Sequence, residues 1–244
     1  MNDIAFNAAI DRVIDRTRAG IGTLSEKTTH AVLKYYLEPD ANFHERKIAG
    51  FVADMAGEDG IFEIQTKGFY NLRRKLDTFL EIDRVTVVYP VIFTKWLVWV
   101  NPETGETTKR RKSPKIGNFY SVFPELYQIK NYLLRSNLHF LFIGISAEEH
   151  RYLNGWSKNK KRGSSRCDTI PLAVEAELAI VEPDDYRQLV PDTLPEIFSS
   201  YDYQRRAKIS RSSAQTALNV LSSVGTIKQV GKGSHGIILY SLSH

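Results

Sequence analysis

The sequence predicts an α/β fold in which a mixed β-sheet is flanked by helices, followed by a small C-terminal domain. The first observation is an order of patterns near the N-terminus: a helix, three short strands, a second helix and a strand. The second is the nearly continuous apolar run Arg84–Ile92, which is typical of a buried strand. The third is the end of the chain, where helical spacing gives way to a hairpin pattern. We therefore expect two domains, residues 1–190 and 191–244.

The composition favours a compact protein of the cytoplasm. The 244 residues are 42% hydrophobic and 25% charged, and the formal net charge of +5 is compatible with a polyanionic partner. The single cysteine, Cys167, excludes an intrachain disulfide. Apolar runs are too short to span a bilayer, and charged residues interrupt the segment where a signal peptide would lie. We expect a cytoplasmic protein without a membrane partner.

The elements of the predicted first domain follow from residue spacing and turn residues. Apolar residues recur at helical intervals in residues 5–18 and again behind the capping box Thr23–Glu26. Glycines then separate runs of strand-forming residues. The predicted strands are Phe43–Ile48, Phe51–Met55, Ile61–Lys67, Arg84–Ile92, Lys95–Asn101 and Leu138–Ile145. The predicted later helices are Tyr70–Glu81, Pro124–Leu134, Leu172–Ile180 and Pro183–Val190, with an irregular basic loop at 154–170.

Polar side chains converge at one place in the predicted sheet. Because residues two apart along a strand share a face, Glu63, Gln65 and Lys67 point to the same side of the third strand. Asp54 lies on the preceding strand, across a glycine-rich turn, and hairpin pairing brings its carboxylate towards that side. The sequence therefore predicts a cleft that holds carboxylate, amide and ammonium groups.

This order of elements and residues resembles the core of the PD-(D/E)XK nuclease superfamily over roughly residues 20–92. Asp54 matches the aspartate of the second strand, and Gln65-Thr66-Lys67 matches the third-strand triplet in the Gln-X-Lys form of Mrr-type restriction enzymes. Glu26 matches an acidic residue that many members bring to the same cleft from the first helix. The resemblance implies a restriction-endonuclease-like sheet.

The resemblance also implies metal-dependent cleavage of phosphodiester bonds. Asp54, Glu63, Gln65 and Lys67 would be the catalytic residues, with Lys67 orienting or deprotonating the nucleophile. Mg²⁺ or Mn²⁺ would be held by oxygen atoms of Asp54, Glu63, Gln65 and Glu26, and would lower the pKa of a bound water. Relatives of this fold often act as dimers, so the resemblance is compatible with a homodimer, and the sequence leaves the oligomeric state open.

The same residues have structural interpretations. Gln65 replaces the acid of the motif and carries no charge, so Glu63, one pleat away, has to compensate for it. If it does not, the fold is a catalytically inactive relative that binds nucleic acid or serves as a scaffold. Glu26 fits the capping box, and Asp54 can cap the turn beside it. Glu63 and Lys67 can form an ion pair on an exposed sheet.

The C-terminal segment has the order of a winged helix-turn-helix. The predicted helices are Leu194–Phe198, Asp202–Lys208 and Ser212–Val224, and the predicted hairpin strands are Thr226–Val230 and Gly236–Tyr240. Positive and short polar side chains beside the third helix and at the hairpin tip can reach phosphates and base edges. These candidate DNA-binding residues are Arg205, Arg206, Lys208, Arg211, Ser212, Ser213, Gln215, Lys232 and His235. A protein-docking module is the alternative to DNA binding.

The sequence lacks the motifs that are typical of several other classes of function. It contains no phosphate-binding loop, no dinucleotide glycine fingerprint and no Gly-X-Ser-X-Gly elbow, and its histidines lack the spacing of zinc ligands. The expected function is a metal-dependent DNA phosphodiesterase whose winged helix selects the site. The alternative is a catalytically inactive, nuclease-like protein that binds DNA or has a regulatory role.

Overall fold

The computed structural model describes residues 3–18, 28–154 and 165–243. The helices are α1 (Asp3–Arg18), α2 (Thr28–Leu37), α3 (Arg73–Phe79), α4 (Phe123–Gln128), α5 (Ser200–Ala207) and α6 (Arg211–Ser223). The strands are β1 (His44–Ile48), β2 (Phe51–Gly57), β3 (Gly60–Ile64), β4 (Val85–Val100), β5 (Arg111–Lys112), β6 (Leu138–Tyr152), β7 (Ser165–Ile180), β8 (Phe198–Ser199), β9 (Ile227–Lys232) and β10 (Ile238–Leu242). The fold is α/β, as the sequence predicts. No helix of the described ranges is long and apolar enough to cross a membrane.

Among the described residues, one mixed sheet has the strand order β1-β2-β3-β4-β6-β7, and β5 pairs with β4 beside that path. β2 and β3 are antiparallel, whereas β3 and β4 are parallel. Parallel neighbours need a crossover connection, and the chain between β3 and β4 supplies one that contains α3. The predicted order of helix, three strands, helix and strand is confirmed in α2, β1, β2, β3, α3 and β4.

The chain divides into two compact units that interleave along the sequence. The described residues of Met1–Arg46, Pro90–Asn118 and Ile143–Glu177 form the first unit. Those of Lys47–Tyr89, Phe119–Phe142 and Leu178–His244 form the second unit. The second unit contains β2, β3 and α3 together with the C-terminal helices and hairpin. The predicted domain boundary after residue 190 stays a prediction.

A core in the second unit holds α3 against the strands that flank the crossover. Val85, Val87 and Val88 of β4 are completely buried, and so are Leu76 and Phe79 of α3. Burying each such side chain stabilises the fold by about 1.5–3 kcal/mol. This packing determines which side of α3 is directed towards the sheet.

Several predicted elements differ from the structure. The helix expected at Leu172–Ile180 is wrong, because these residues belong to β7, where Val174, Leu178 and Ile180 are buried and the glutamates between them are exposed. Alternate burial in the sheet outweighs the helix propensity of Ala, Glu and Leu. Two parts of the expected basic loop are described: Asn154, which follows the end of β6, and Ser165–Ile170, which belong to β7.

Other elements differ in length. β4 is one strand where two were expected, and the helix expected at Pro124–Leu134 is shorter, with α4 followed by a 3₁₀ turn at Lys130–Tyr132. The helix expected at Leu194–Phe198 is wrong, since Phe198 begins β8. Strands need pairing partners, and β8 finds one in β10.

The C-terminal elements of the second unit are two helices and a three-stranded sheet with the order β8-β10-β9. The side chain of Ser199 caps α5 in a capping box with Asp202, and the side chain of Ser210 caps α6. Lys208 ends α5 in the left-handed conformation. The predicted second and third helices and the predicted hairpin are thus present in α5, α6, β9 and β10.

Candidate functional site

Two carboxylates face each other across β2 and β3. The antiparallel register pairs Met55 with Phe62 and Ala56 with Ile61. One step further along this register, Asp54 lies opposite Glu63, and directly opposed residues of an antiparallel pair share a face. The Asp54 carboxylate accepts a hydrogen bond of 2.7 Å from the backbone N–H of Ile64. The hairpin therefore holds the Asp54 carboxylate against the end of β3, as the sequence predicts.

Glu63 is held by a lysine that the sequence analysis did not identify. The Glu63 side chain is fully buried, and the Nζ atom of Lys75 lies 2.9 Å from its Oε1 atom and 2.8 Å from its Oε2 atom. Lys75 itself is 26% exposed, so its ammonium group joins the buried carboxylate to the surface. The pair is a charge-assisted contact in which one ammonium engages both carboxylate oxygens.

The cluster contains two carboxylates and one ammonium group, so its charges do not cancel. Burial and the negative charge of Asp54, in that order of size, raise the pKa of Glu63 to about 7 against the opposing effect of Lys75. One ammonium thus compensates incompletely for two neighbouring carboxylates. Carboxylates with strongly raised pKa values beside a specific charge partner are enriched at functional sites.

Gln65 and Lys67 follow the strand rather than belonging to it. The prediction of a strand as far as Lys67 is wrong, because β3 ends at Ile64. The N–H of Gln65 still bonds to the Val88 carbonyl oxygen at 2.8 Å, which extends the pairing by one residue. Lys67 is exposed and forms no ion pair with the part of the chain that the structure describes. Glu26 lies outside the described residues.

Gly68 turns the chain four residues after the end of β3. Gly68 has a positive φ of 70°, and its N–H and that of Phe69 donate to the same Glu125 oxygen, at 2.8 and 3.0 Å. A side chain would be strained in this left-handed conformation. The turn leads into the 3₁₀ segment that precedes α3.

A helical pattern could have indicated Lys75. Leu72, Leu76 and Phe79 form a buried stripe at intervals of four and three residues, and Lys75 lies three residues after Leu72 in that stripe. A charged residue in the buried stripe of a helix needs a partner. Only the packing of α3 shows that the partner is Glu63.

The donor set at the cluster fits a hard divalent cation. No group of three or more His, Cys, Asp or Glu side chains within the described ranges could hold a metal ion by itself. Mg²⁺ commonly uses only one or two protein carboxylates and completes its coordination with water and substrate phosphate. Asp54 and Glu63 are carboxylates of this type, and both Glu63 oxygens already contact the ammonium group of Lys75.

The C-terminal elements present a polar and positive surface. All the candidate DNA-binding residues except Ser213 are exposed. Ser213 is half-buried because its hydroxyl and its N–H contact the Ser210 hydroxyl at the start of α6. A groove of about 560 Å³ runs between α6 and β9, and Gln215, Asn219 and Gln229 contribute to its lining. Amide side chains in such a groove can donate and accept hydrogen bonds at base edges.

Comparisons with known proteins identify a family. An uncharacterized protein of Treponema pallidum (strain Nichols) is 29% identical over 183 residues, which are 75% of this chain and 72% of the relative. No solved structure matches the chain. Residues 27–181 match the model of a domain of unknown function, DUF8091, and these residues include Asp54, Glu63 and Lys75. Because this match covers more than half of the chain, the protein belongs to the DUF8091 family.

Proposed function

We propose that the protein is a metal-dependent DNA phosphodiesterase with Asp54 and Glu63 at its centre. The observation that carries the proposal is the opposed pair of carboxylates on β2 and β3, with Lys75 bonded to Glu63 at 2.8 Å. The strand order supports it, because antiparallel β2 and β3 followed by parallel β4 agree with the nuclease-like core that the sequence resembles.

The chain's own residues divide the chemistry between them. A bound Mg²⁺ or Mn²⁺ would supply Lewis-acid stabilisation and a more acidic water. Asp54 and Glu63 would provide its oxygen ligands, and the carbonyl oxygen of the Gln65 side chain would be a further donor of the same type. Lys75, whose ammonium is partly exposed, stabilises negative charge that develops on the phosphate. We assign this role to Lys75 in place of Lys67.

The C-terminal elements are the proposed DNA-binding part. Their order of two helices and a hairpin, with β8 as a third strand, supports a winged helix-turn-helix. Arg205, Arg206, Lys208 and Arg211 add positive charge where α5 meets α6. Such charges contact phosphates, whereas the amides of the groove are suited to reading base edges.

One observation favours a second function. Both oxygens of Glu63 are already bonded to Lys75, so the ion pair satisfies this buried carboxylate without a cation. The second candidate is therefore a nuclease-like protein that binds DNA without cleaving it. Metal uptake separates the two functions, since only the first requires it.

The deciding experiment combines calorimetry with cleavage assays on the purified protein. Mg²⁺ and Mn²⁺ are titrated into the wild type, and plasmid and branched DNA are incubated with each metal and with EDTA. Metal uptake together with cleavage that EDTA stops is the expected result. DNA binding without metal uptake at millimolar concentration would leave the non-catalytic function, and loss of both would refute both. Sedimentation in the same buffers tests whether the protein is a homodimer, as many relatives of this fold are.

Lys75 and Lys67 can be compared directly. Lys75→Met is expected to lower the cleavage rate about 100-fold, in the range of a positioned proton-transfer or charge-stabilising group, and Lys67→Met less than about fivefold. Lys75→Arg keeps a cation beside Glu63 and serves as the control for folding. The measurement is single-turnover cleavage, with a thermal melt of each variant. A larger loss of cleavage rate in Lys67→Met than in Lys75→Met would show that Lys67 is the catalytic lysine, as the resemblance implies.

A further inference from the structure

Two exposed tyrosines of the second unit each carry a cation on the ring. Tyr70 is 62% exposed, and the guanidinium carbon of Arg73 lies 4.5 Å from its ring centroid. Tyr127 is 49% exposed, and the Nζ atom of Lys130 lies 5.3 Å from its ring centroid. We call these four residues the tyrosine–cation surface. On this surface, aromatic rings are exposed to solvent next to positively charged side chains.

Hydrogen bonds through Gln128 hold the two halves of this surface together. The backbone N–H of Tyr70 donates to the Gln128 side chain at 2.9 Å, and Arg73 Nε donates to the Gln128 carbonyl oxygen at 2.8 Å. Gln128 in turn donates to Glu125, which also binds the turn that precedes Tyr70. The two chain segments that carry the rings are therefore joined before any ligand binds, which lowers the entropic cost of binding.

The tyrosine–cation surface connects the two parts of the proposed function. Lys130 Nζ donates to the side-chain oxygen of Asn219 on α6 at 3.0 Å. At its other end, Arg73 begins α3, the helix that also carries Lys75 on a different face. A strand of nucleic acid that follows this surface would extend from the groove beside α6 to the start of α3.

The chemistry of the surface suits unpaired bases. Exposed aromatic rings stack with bases whatever their sequence, and cations beside the rings neutralise the phosphates of the same strand. In a duplex the base faces are already stacked, so the rings would have no partner there. The carboxylates beside the surface are engaged within the protein: Glu125 binds backbone N–H groups, and Asp77 accepts from the Tyr132 hydroxyl at 2.6 Å.

We propose that the tyrosine–cation surface binds single-stranded DNA by base stacking, so that the substrate of the proposed enzyme contains an unpaired segment. This inference rests on the proposed function only for the cleavage step. Binding of the single strand itself needs neither the metal nor the carboxylates. It can therefore be tested apart from catalysis.

The test is fluorescence anisotropy with a labelled oligonucleotide, as a single strand and as the matching duplex, in EDTA. Tyr70→Ala and Tyr127→Ala are each expected to weaken single-strand binding roughly tenfold, whereas the Tyr→Phe variants keep the ring and stay within about twofold. Duplex binding should change less than about twofold in all of them. Phe43→Ala, which removes an exposed ring of the first unit, is the matched control and should bind as the wild type does.

Two results would overturn the proposal. One is unchanged single-strand affinity in the two alanine variants, and the other is an equal loss on single strand and duplex, which would indicate a phosphate contact alone. For a readout that does not depend on variant folding, bromouracil-containing single strands are photocrosslinked to the wild type. Labelled peptides should contain Tyr70 or Tyr127, and labels only elsewhere would also refute the proposal. A protein that binds single strands but takes up no metal would refute the enzyme and leave this surface in place.

Discussion

Asp54→Asn is expected to reduce DNA cleavage by about a thousandfold or more and to remove measurable metal uptake. Asn keeps the shape of Asp but has no charge, and a metal-stabilised transition state loses several kcal/mol when a charged ligand is removed. A thousandfold loss corresponds to about 4 kcal/mol. The measurements are single-turnover cleavage and calorimetric titration with Mn²⁺.

The same variant distinguishes a functional Asp54 from a structural one. The side-chain oxygen of Asn can still accept the N–H of Ile64, and the repulsion between position 54 and Glu63 disappears. The melting temperature is therefore expected to stay the same or to rise. A functional site commonly carries such a local cost in stability.

Asp59→Asn is the matched control for Asp54→Asn. Asp59 is in the turn of the same hairpin, its side chain is 91% exposed, and its contact with Arg84 is 3.7 Å long. We expect wild-type cleavage and a change in stability below about 0.5 kcal/mol. A destabilised Asp54→Asn variant that still cleaves DNA would show that Asp54 only supports the turn.

Glu149→Gln is expected to destabilise the protein by about 3 kcal/mol. The Glu149 side chain, in the first unit, is fully buried, and three cations contact it: Lys95 at 3.3 Å, Arg166 at 3.1 Å and Arg151. Removing one member of a buried charge network leaves the others without their partner. Urea denaturation of the variant and the wild type measures the difference.

The pH dependence of stability gives a second test of Glu149. Burial alone would raise its pKa, but Arg166, Lys95 and Arg151 outweigh burial and hold the pKa below its ordinary value. A carboxyl group with a lowered pKa in the folded state contributes stability above its unfolded pKa, and this contribution is lost as the pH falls through the folded pKa. Glu149→Gln should therefore have a smaller loss of stability between neutral and acidic pH than the wild type.

Glu148 supplies the control one residue away. The Glu148 side chain is 20% exposed and forms an ion pair of 3.2 Å with Arg110. The Arg110 side chain is more than half exposed. Glu148→Gln should lower the free energy of unfolding by less than about 1 kcal/mol, because ion pairs screened by solvent contribute little to stability. Equal costs for the two variants would contradict the role assigned to the three cations.

The sequence by itself determined the order of elements that builds the carboxylate pair. The three short strands and the turn between β2 and β3 are encoded by neighbouring residues, because alternation and glycine turns act over a few positions. A two-residue turn at Glu58 and Asp59 joins the antiparallel strands, so the opposition of Asp54 and Glu63 followed from the hairpin alone. The capped helices α5 and α6 and the hairpin after them are local features of the same kind.

Tertiary structure decided what depends on distant neighbours. β7 is a strand because a sheet buries alternate residues from Val174 to Ile180, although the composition of that segment suits a helix. Lys75 rather than Lys67 reaches Glu63, because β3 ends at Ile64, before Lys67, and because the core fixes the orientation of α3. Residues close in sequence were predictable from local patterns, whereas these contacts arise only when segments far apart in sequence pack together.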